Sequence, residues 1–220
     1  MFETHPSDYG ATRPTPRRHL KRFAFVLCML PVTPLALASR IEQVLSGGET
    51  AFLASGQFLG LFPGHVGNYL RLAFYRLTLR SCSLDVSFNF GSTVSHPGAE
   101  IGANVSIGAY TCIGTATIGD DVLIGSRVSI LSGLHQHDAW NGSEELNRGI
   151  PNFERIQIGS HSWIGEEAII AADIGMRCIV AAGSVVLRAA PDDRLIIGNP
   201  ARVVSREFSQ RPIVPEVPAK

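Results

Sequence analysis

The sequence predicts a mainly β protein wound into a parallel β-helix, preceded by α-helices, and three observations support this prediction. An isoleucine recurs about every six residues, a glycine directly follows each of these isoleucines in most repeats, and a small or β-branched residue lies four places after each isoleucine. A period of six fits neither an amphipathic helix nor a flat two-sided strand. The isoleucines of the first block are Ile101, Ile107, Ile113, Ile118, Ile124 and Ile130.

Short straight strands separated by corners would satisfy this period. Three such sides make one triangular turn, and successive turns stack as parallel strands about 4.8 Å apart. Each isoleucine and the residue four places later would then point inward, and glycine would lie where a side chain collides with the bend. The second inward set is Val105, Thr111, Thr117, Val122 and Val128.

The repeat is interrupted once and shortened once. Residues 131–155 are polar and rich in turn residues, which predicts an extended loop projecting from one coil. The repeat resumes at Ile158, but the step from Ile170 to Ile174 is only four residues. Because this step is two residues shorter than six, the repeat does not predict the geometry of the groove at that point.

Composition excludes some functions. The chain of 220 residues has 19 Lys and Arg against 19 Asp and Glu, so no net field attracts nucleic acid. Its four cysteines show no paired spacing, which indicates a reducing compartment and a cytoplasmic location.

Four regions of the chain differ in amino-acid composition and pattern. Residues 1–22 form a basic leader expected to be disordered, 23–80 an apolar helical segment, 81–204 the β-helix, and 205–220 a proline-rich tail. The helical segment is interpreted either as a cap on the open end of the coil or, over residues 23–64, as a membrane-interface segment. A signal peptide ending at Ala-Leu-Ala is the less favoured reading.

Several segments resemble the hexapeptide-repeat acyltransferases, in particular the branch that acetylates sugars and xenobiotics. They are GDDVLIGSRVSILSGLH, WIGEEAII, AAGSVV and IIGNPARVV, within a match over residues 81–204. The resemblance implies a left-handed coil, acetyl-CoA as acyl donor without a metal, and a homotrimer whose subunits enclose a groove for the pantetheine arm.

The resemblance also implies catalytic residues on the loop. His135 lies five residues after Ile130, where similar enzymes place a general base, and imidazole can accept a hydroxyl proton near neutral pH. His137 and Asp138 would orient His135 or contact the acceptor, and a solvated loop histidine is the alternative for His137.

The residues assigned to the cofactor lie near the end of the coil. Ala182, Gly183 and Ser184 would line the groove, with free amides for the pantetheine, while Arg188 and Arg202 would bind phosphates or else be solvated. By the same resemblance the turn at the adenine end consists of Gly198, Asn199, Pro200 and Ala201.

Other residues have less specific predictions. Trp163 would stack on the acceptor sugar, shield the thioester, or fill a subunit interface. His96 and His161 are expected to face outward, and Cys112 to lie on a coil face without a catalytic role. An asparagine that sugar acetyltransferases place on an earlier coil has no match, because Tyr110 lies nearby instead.

The sequence therefore favours an acetyl-CoA dependent O-acetyltransferase acting on a small or lipid-linked saccharide during surface polysaccharide or lipopolysaccharide assembly. Its place would be the cytoplasm or the cytoplasmic face of the inner membrane. The alternatives are an N-acetyltransferase of an amino sugar or antibiotic, and a non-catalytic assembly protein.

Overall fold

The computed structural model describes residues 16–133 and 153–205. Three helices come first: α1 (Pro16–Ser46), α2 (Thr50–Gly60) and α3 (Gly64–Thr78). Sixteen short strands follow them. They are β1 (Ser81–Cys82), β2 (Ser87–Phe88), β3 (Thr93–Val94), β4 (Glu100–Ile101), β5 (Ser106–Ile107), β6 (Cys112–Ile113), β7 (Ala116–Ile118), β8 (Leu123–Ile124), β9 (Ser129–Ile130), β10 (Ile156–Ile158), β11 (Trp163–Ile164), β12 (Ile169–Ile170), β13 (Ile179–Val180), β14 (Val185–Val186), β15 (Arg194–Gly198) and β16 (Ala201–Ser205).

The strands form a left-handed parallel β-helix of about five turns, as predicted. Face A consists of β1, β4, β7 and β10, face B runs from β2 through β5, β8, β11 and β13 to β15, and face C consists of β3, β6, β9, β12 and β14. All neighbours within a face are parallel except β16, which turns back antiparallel on β15. Below, edge AB, edge BC and edge CA denote the corners where the chain passes from one face to the next.

The interior of the coil is filled as the repeat predicts, with one exception. The isoleucines are buried, and so are Val105, Thr111, Val122 and Val128. Thr117 was expected to point inward, but Ala116 does so instead. The side that begins at Ile113 is one residue shorter than the others, so its inward position comes one residue earlier.

The short step after Ile170 does not disturb the coil. Ile174 lies between Ile158 and Ala190 in parallel β-bridges, so the stacking of face A continues through it. The two missing residues therefore shorten the connection across edge CA and leave the register of the next coil intact.

The helices cover the N-terminal end of the coil. α1 packs along α3, and α3 contacts β1 and β2 while α2 contacts β3. α1 begins at Pro16, so residues 16–22 have a helical backbone where the sequence led us to expect disorder. The helix continues through Pro31 and Pro34. Within the described part of the chain, no helix combines the length and apolar character that crossing a bilayer would need.

A buried arginine fixes this cap to the first coil. The guanidinium of Arg71 donates hydrogen bonds to the carbonyls of Leu59 (2.9 Å), Phe62 (2.8 Å) and Phe88 (3.0 Å). Burial lowers the pKa of Arg71, but the carbonyls at the C-terminal end of α2 stabilise its charge. The Tyr75 hydroxyl accepts a hydrogen bond from the Val94 amide (3.0 Å), a second polar link between α3 and the coil.

Candidate active site

The segment predicted to form the extended loop lies between β9 and β10, and its described ends, residues 131–133 and 153–155, are at edge CA. His135, His137 and Asp138 lie outside the described residues, so their roles stay predictions. The two ends of the loop meet at the coil, where the Glu154 amide donates to the Ser132 carbonyl (3.0 Å). The Ser132 hydroxyl is buried and accepts from the Thr115 amide (2.8 Å), so the base of the loop is held by the coil beside it.

The returning end of the loop is linked to the helical cap through His96, which lies on the coil between β3 and β4. The Phe153 ring lies 4.1 Å from the His96 ring, centroid to centroid, and His96 Nδ1 is 2.7 Å from Glu49 Oε2. His96 was expected to face outward, but this contact with Glu49, just before α2, leaves it only partly exposed. Arg155, two residues after Phe153, forms an ion pair with Glu100 (3.4 Å).

Edge AB and edge BC differ in the hydrogen bonding of one backbone amide per corner. This corner amide belongs to the residue two places after each inward-pointing isoleucine or valine. On edge AB a side chain of the next coil accepts a hydrogen bond from three of the corner amides, whereas the Leu84 and Ser160 amides, on which Ala103 and Met176 stack, have no acceptor among the described residues. Asp120 accepts from Ala103 (2.7 Å), Ser160 from Asp120 (3.0 Å), and Asp192 from Met176 (2.8 Å). The polar side chain that the next coil supplies therefore caps these amides.

On edge BC the amides in the same position have no acceptor among the described residues. They belong to Ala109, Ser126, Glu166 and Ala182. For Glu166 and Ala182 the reason lies in the sequence, because the residues stacked on them in the next coil are Ala182 and Gly198. Neither has a polar side chain that could cap an amide. Two donors therefore stay available at the C-terminal end of edge BC.

The neighbouring position adds space beside these donors. Gly183 has φ +68°, and no atom would lie within 4 Å of a Cβ built there. The same left-handed conformation is adopted on edge BC by Tyr110, Arg127 and Glu167, so the backbone does not require glycine. Because glycine has no side chain, the main chain of edge BC is uncovered at position 183, and a ligand can lie close to it.

Ser184 does not line this surface. It was predicted to lie in the groove, but it is fully buried and its hydroxyl accepts a hydrogen bond from the Gly198 amide (3.2 Å). It occupies the inward position of its repeat, so its side chain faces the interior. Its role in the structure is to hold the end of β15 against the coil.

The remaining residues assigned to the cofactor fall on two edges. The turn Gly198–Ala201 closes the hairpin of β15 and β16 at edge BC, and Arg202 follows it, exposed, opposite Ile197. Arg188 is also exposed, but it lies beyond β14 on edge CA. The structure thus brings Arg202, Ala182, Gly183 and the turn together, and separates Arg188 from them by face C.

Trp163 belongs to an apolar row on the outside of face B. The strand register places it beside Leu123 on one side and Ile179 on the other, with Leu195 next. Trp163 is half exposed, as predicted. Its neighbours make an extended apolar strip, which favours the interface reading over a contact with a sugar.

His161 and the two buried cysteines of the coil add no reactive group here. His161 faces outward as expected. Cys112 is exposed on face C, whereas burial raises the pKa of Cys82 to about 12 and also raises the pKa of Cys178. Neither buried thiol is a thiolate near neutral pH. Tyr110 is exposed on edge BC, with its ring against that of Phe90.

Comparison with known proteins agrees with this architecture. A sequence profile described as the hexapeptide repeat of succinyl-transferase matches residues 115–134 and 155–188. These are the coils on both sides of the extended loop. The chain shares the hexapeptide repeat and the coil of the hexapeptide-repeat acyltransferases.

Proteins of several kinds are similar to this chain in sequence. Serine acetyltransferase 4 of Arabidopsis thaliana is 33% identical over 161 residues, which are 67% of this chain and 42% of the relative. The bifunctional protein GlmU of Paracoccus denitrificans (strain Pd 1222) is 29% identical over 120 residues, 52% of this chain and 27% of the relative. The chain thus spans less than half the length of either curated relative.

A solved structure shares the fold. The maltose O-acetyltransferase of Clostridium difficile 630 superposes with a TM-score of 0.56 at 23% identity, over 70% of this hexapeptide-repeat protein and 83% of that chain. The similarity extends over most of both molecules and concerns the coil architecture.

Proposed function

We propose that this protein transfers an acetyl group from acetyl-CoA to a saccharide hydroxyl. The observation that carries the proposal is the pair of uncapped amides of Glu166 and Ala182 on edge BC, beside the bare position of Gly183. Pantetheine contains two amide groups whose carbonyls accept hydrogen bonds from such donors. Exposed Arg202 supplies a cation at the same edge for the phosphates.

The chemistry needs a base and an oxyanion site. In the proposal His135 accepts the proton of the acceptor hydroxyl while the oxygen attacks the thioester carbonyl. A backbone amide of a neighbouring coil stabilises the oxyanion. The C–S bond then breaks, and His135 returns the proton to the departing thiolate of coenzyme A. Its position on a loop anchored at Ser132 and Glu154 would hold the imidazole near the coil.

The proposal includes a homotrimer in the cytoplasm. The apolar row of Leu123, Trp163, Ile179 and Leu195 runs along face B, which adjoins edge BC, so a second subunit packed there would form the other wall of the groove. The role in surface polysaccharide or lipopolysaccharide assembly rests on the resemblance and on the apolar N-terminal helices, which would bring the enzyme to lipid-linked glycans. The acetyltransferases among its relatives support the acetyl group.

An Ala182→Asp variant tests the cofactor site. A carboxylate at 182 would cap the Glu166 amide, as Asp120 caps Ala103, and would repel phosphates. We expect coenzyme A to bind at least about tenfold more weakly by isothermal titration, with the fold retained. Met176→Asp places the same charge one corner earlier, on edge AB, and should leave the affinity unchanged. Equal affinity in both variants would remove edge BC from the site.

A His135→Ala variant tests the chemistry separately. We expect release of coenzyme A from acetyl-CoA in the presence of candidate saccharides to fall roughly a hundredfold, with binding of coenzyme A preserved. Full turnover in the folded variant would exclude His135 as the base. If the intact protein binds no coenzyme A at all, the non-catalytic assembly protein becomes the better reading.

A further inference from the structure

Helix α1 presents an apolar stripe to solvent. The stripe consists of Leu27, Leu30, Pro34, Leu37, Ile41 and Val44, with Leu45 beside it. Its leucine, isoleucine and valine members have between 48% and 83% of their surface exposed. At about 100° per residue these positions fall within an arc of about 100°, and they extend about 26 Å along the helix. The buried residues Val32, Ala36 and Ser39 lie on the opposite side.

The charges around the stripe follow a pattern. Residues 23–39 contain no charged side chain, while Arg17, Arg18, Lys21 and Arg22 occupy the first two turns of the same helix. Beyond residue 39, Arg40 donates to the Leu77 carbonyl (3.1 Å) and Glu42 accepts from the Ala51 amide (2.6 Å). The first two charged side chains after Arg22 are therefore engaged within the cap.

We infer that this stripe lies in the surface of an anionic membrane. An exposed apolar face preceded by a basic cluster is typical of helices that lie in the headgroup region, where the apolar face enters the acyl boundary and the cations bind anionic lipid. With 31 residues α1 is long enough to cross a bilayer, but its described residues do not combine that length with the apolar character that a span needs. It lies along the surface and leaves the coil in the aqueous phase.

A second copy of the chain is the competing occupant, because the spacing of three and four residues also suits a coiled coil. The flanks of the stripe argue against it. Pro31, Thr33 and Ala38 lie beside the stripe, and the flanking charge Arg40 already binds Leu77. Coiled coils use charged flanking positions to set partner and register, and two prolines lie on this surface.

Flotation of the full chain with lipid vesicles tests the inference. We expect the protein to float with vesicles of phosphatidylcholine and phosphatidylglycerol, less with phosphatidylcholine alone, and less at high salt. A Leu30→Ser, Leu37→Ser double variant should reduce the floating fraction roughly tenfold, because both side chains are exposed and contribute to lipid contact rather than to folding. Leu84→Ser, which changes a half-exposed leucine on the coil, is the control and should float like the parent.

A second variant tests the contribution of the basic residues to membrane binding separately from that of the apolar stripe. Changing Arg17, Arg18, Lys21 and Arg22 to glutamine should remove the preference for anionic vesicles while residual binding through the stripe persists. Failure of the parent protein to float, or equal flotation of the double leucine variant, would overturn the inference. It would also be overturned if the double leucine variant lowers the molar mass by light scattering without vesicles, since the stripe would then join copies of this chain. None of these readouts depends on acetyl transfer.

Discussion

Edge AB and edge BC are built by the same repeat and differ in how their corner amides are satisfied. In the coil from Ile118 to Ile130, Asp120 on edge AB caps an amide of the preceding coil, while Ser126 at the matching position on edge BC caps none. Further along edge BC, Ala182 and Gly198 have no polar side chain with which to do so. A suitable side chain at the corner, such as that of Asp120, closes the amide below it, and a corner residue without a polar side chain leaves that amide open for a ligand.

The largest effect on stability is expected for a substitution at edge BC that disturbs the close stacking of two coils. A Cβ at Gly165 would lie 2.5 Å from the Ala182 nitrogen, so Gly165→Ala must push two coils apart. We expect a loss of about 2 kcal/mol or more in the free energy of unfolding, together with weaker binding of coenzyme A. Denaturant unfolding and titration measure the two quantities.

Gly183→Asn serves as the control for that variant. Other residues already adopt this backbone conformation on the same edge, and the space around Gly183 is empty, so the loss should stay within about 1 kcal/mol. A larger loss at Gly183 than at Gly165 would contradict the view that stacking, rather than backbone conformation, selects the glycines after the isoleucines.

Removing a side chain that accepts a hydrogen bond from a corner amide should have an intermediate effect on stability. Asp120→Ala leaves the Ala103 amide without its acceptor at 2.7 Å, and we expect a loss of about 1 kcal/mol. Ser126→Ala changes the matching residue of the same coil on edge BC, where no hydrogen bond is lost, and should stay within about 0.5 kcal/mol. Equal losses in thermal unfolding would abolish the distinction between the capped and the open edge.

The smallest effect is expected for an exposed ion pair on edge BC. Arg127 Nη1 lies 2.9 Å from Glu167 Oε1, and both side chains are mostly exposed. Water and salt screen such pairs, so Arg127→Gln should change stability by less than about 0.5 kcal/mol. A greater loss, or a strong dependence on salt in the parent protein alone, would show that the pair holds the open edge in place.

Much of the fold could be predicted from the sequence because a six-residue period has few structural solutions. The parallel coil, its inward isoleucines and the helical segment ahead of it are confirmed. Thr117 was misplaced because the length of one side, rather than the repeat itself, sets which residue points inward. Residues 16–22 were misjudged because composition says little about a polar segment that continues an apolar helix.

The site was only partly predictable. Motif resemblance led to Ala182, Gly183 and the turn at Gly198, which the structure brings to one edge. It did not show that Ser184 is buried or that Arg188 lies across face C. The Glu166 amide was missed, although a signal existed: Ala182 and Gly198 occupy the corner position at which Asp120, Ser160 and Asp192 cap amides on edge AB. A backbone donor has no side-chain signature of its own, so its absence of a partner becomes visible only when the coils are stacked.

The sequence by itself determined the winding of the chain, because the alternation of isoleucine, glycine and a small residue can be buried only in a stacked triangular coil. It also determined the chemistry at each corner, since side chains are fixed residue by residue. The tertiary structure alone decided which corners lie above one another, because residues 40 positions apart, such as Asp120 and Ser160, meet only through the pitch of the coil. It likewise decided which side of α1 is covered, since the packing of α3 against that helix buries Val32 and leaves Leu30 exposed.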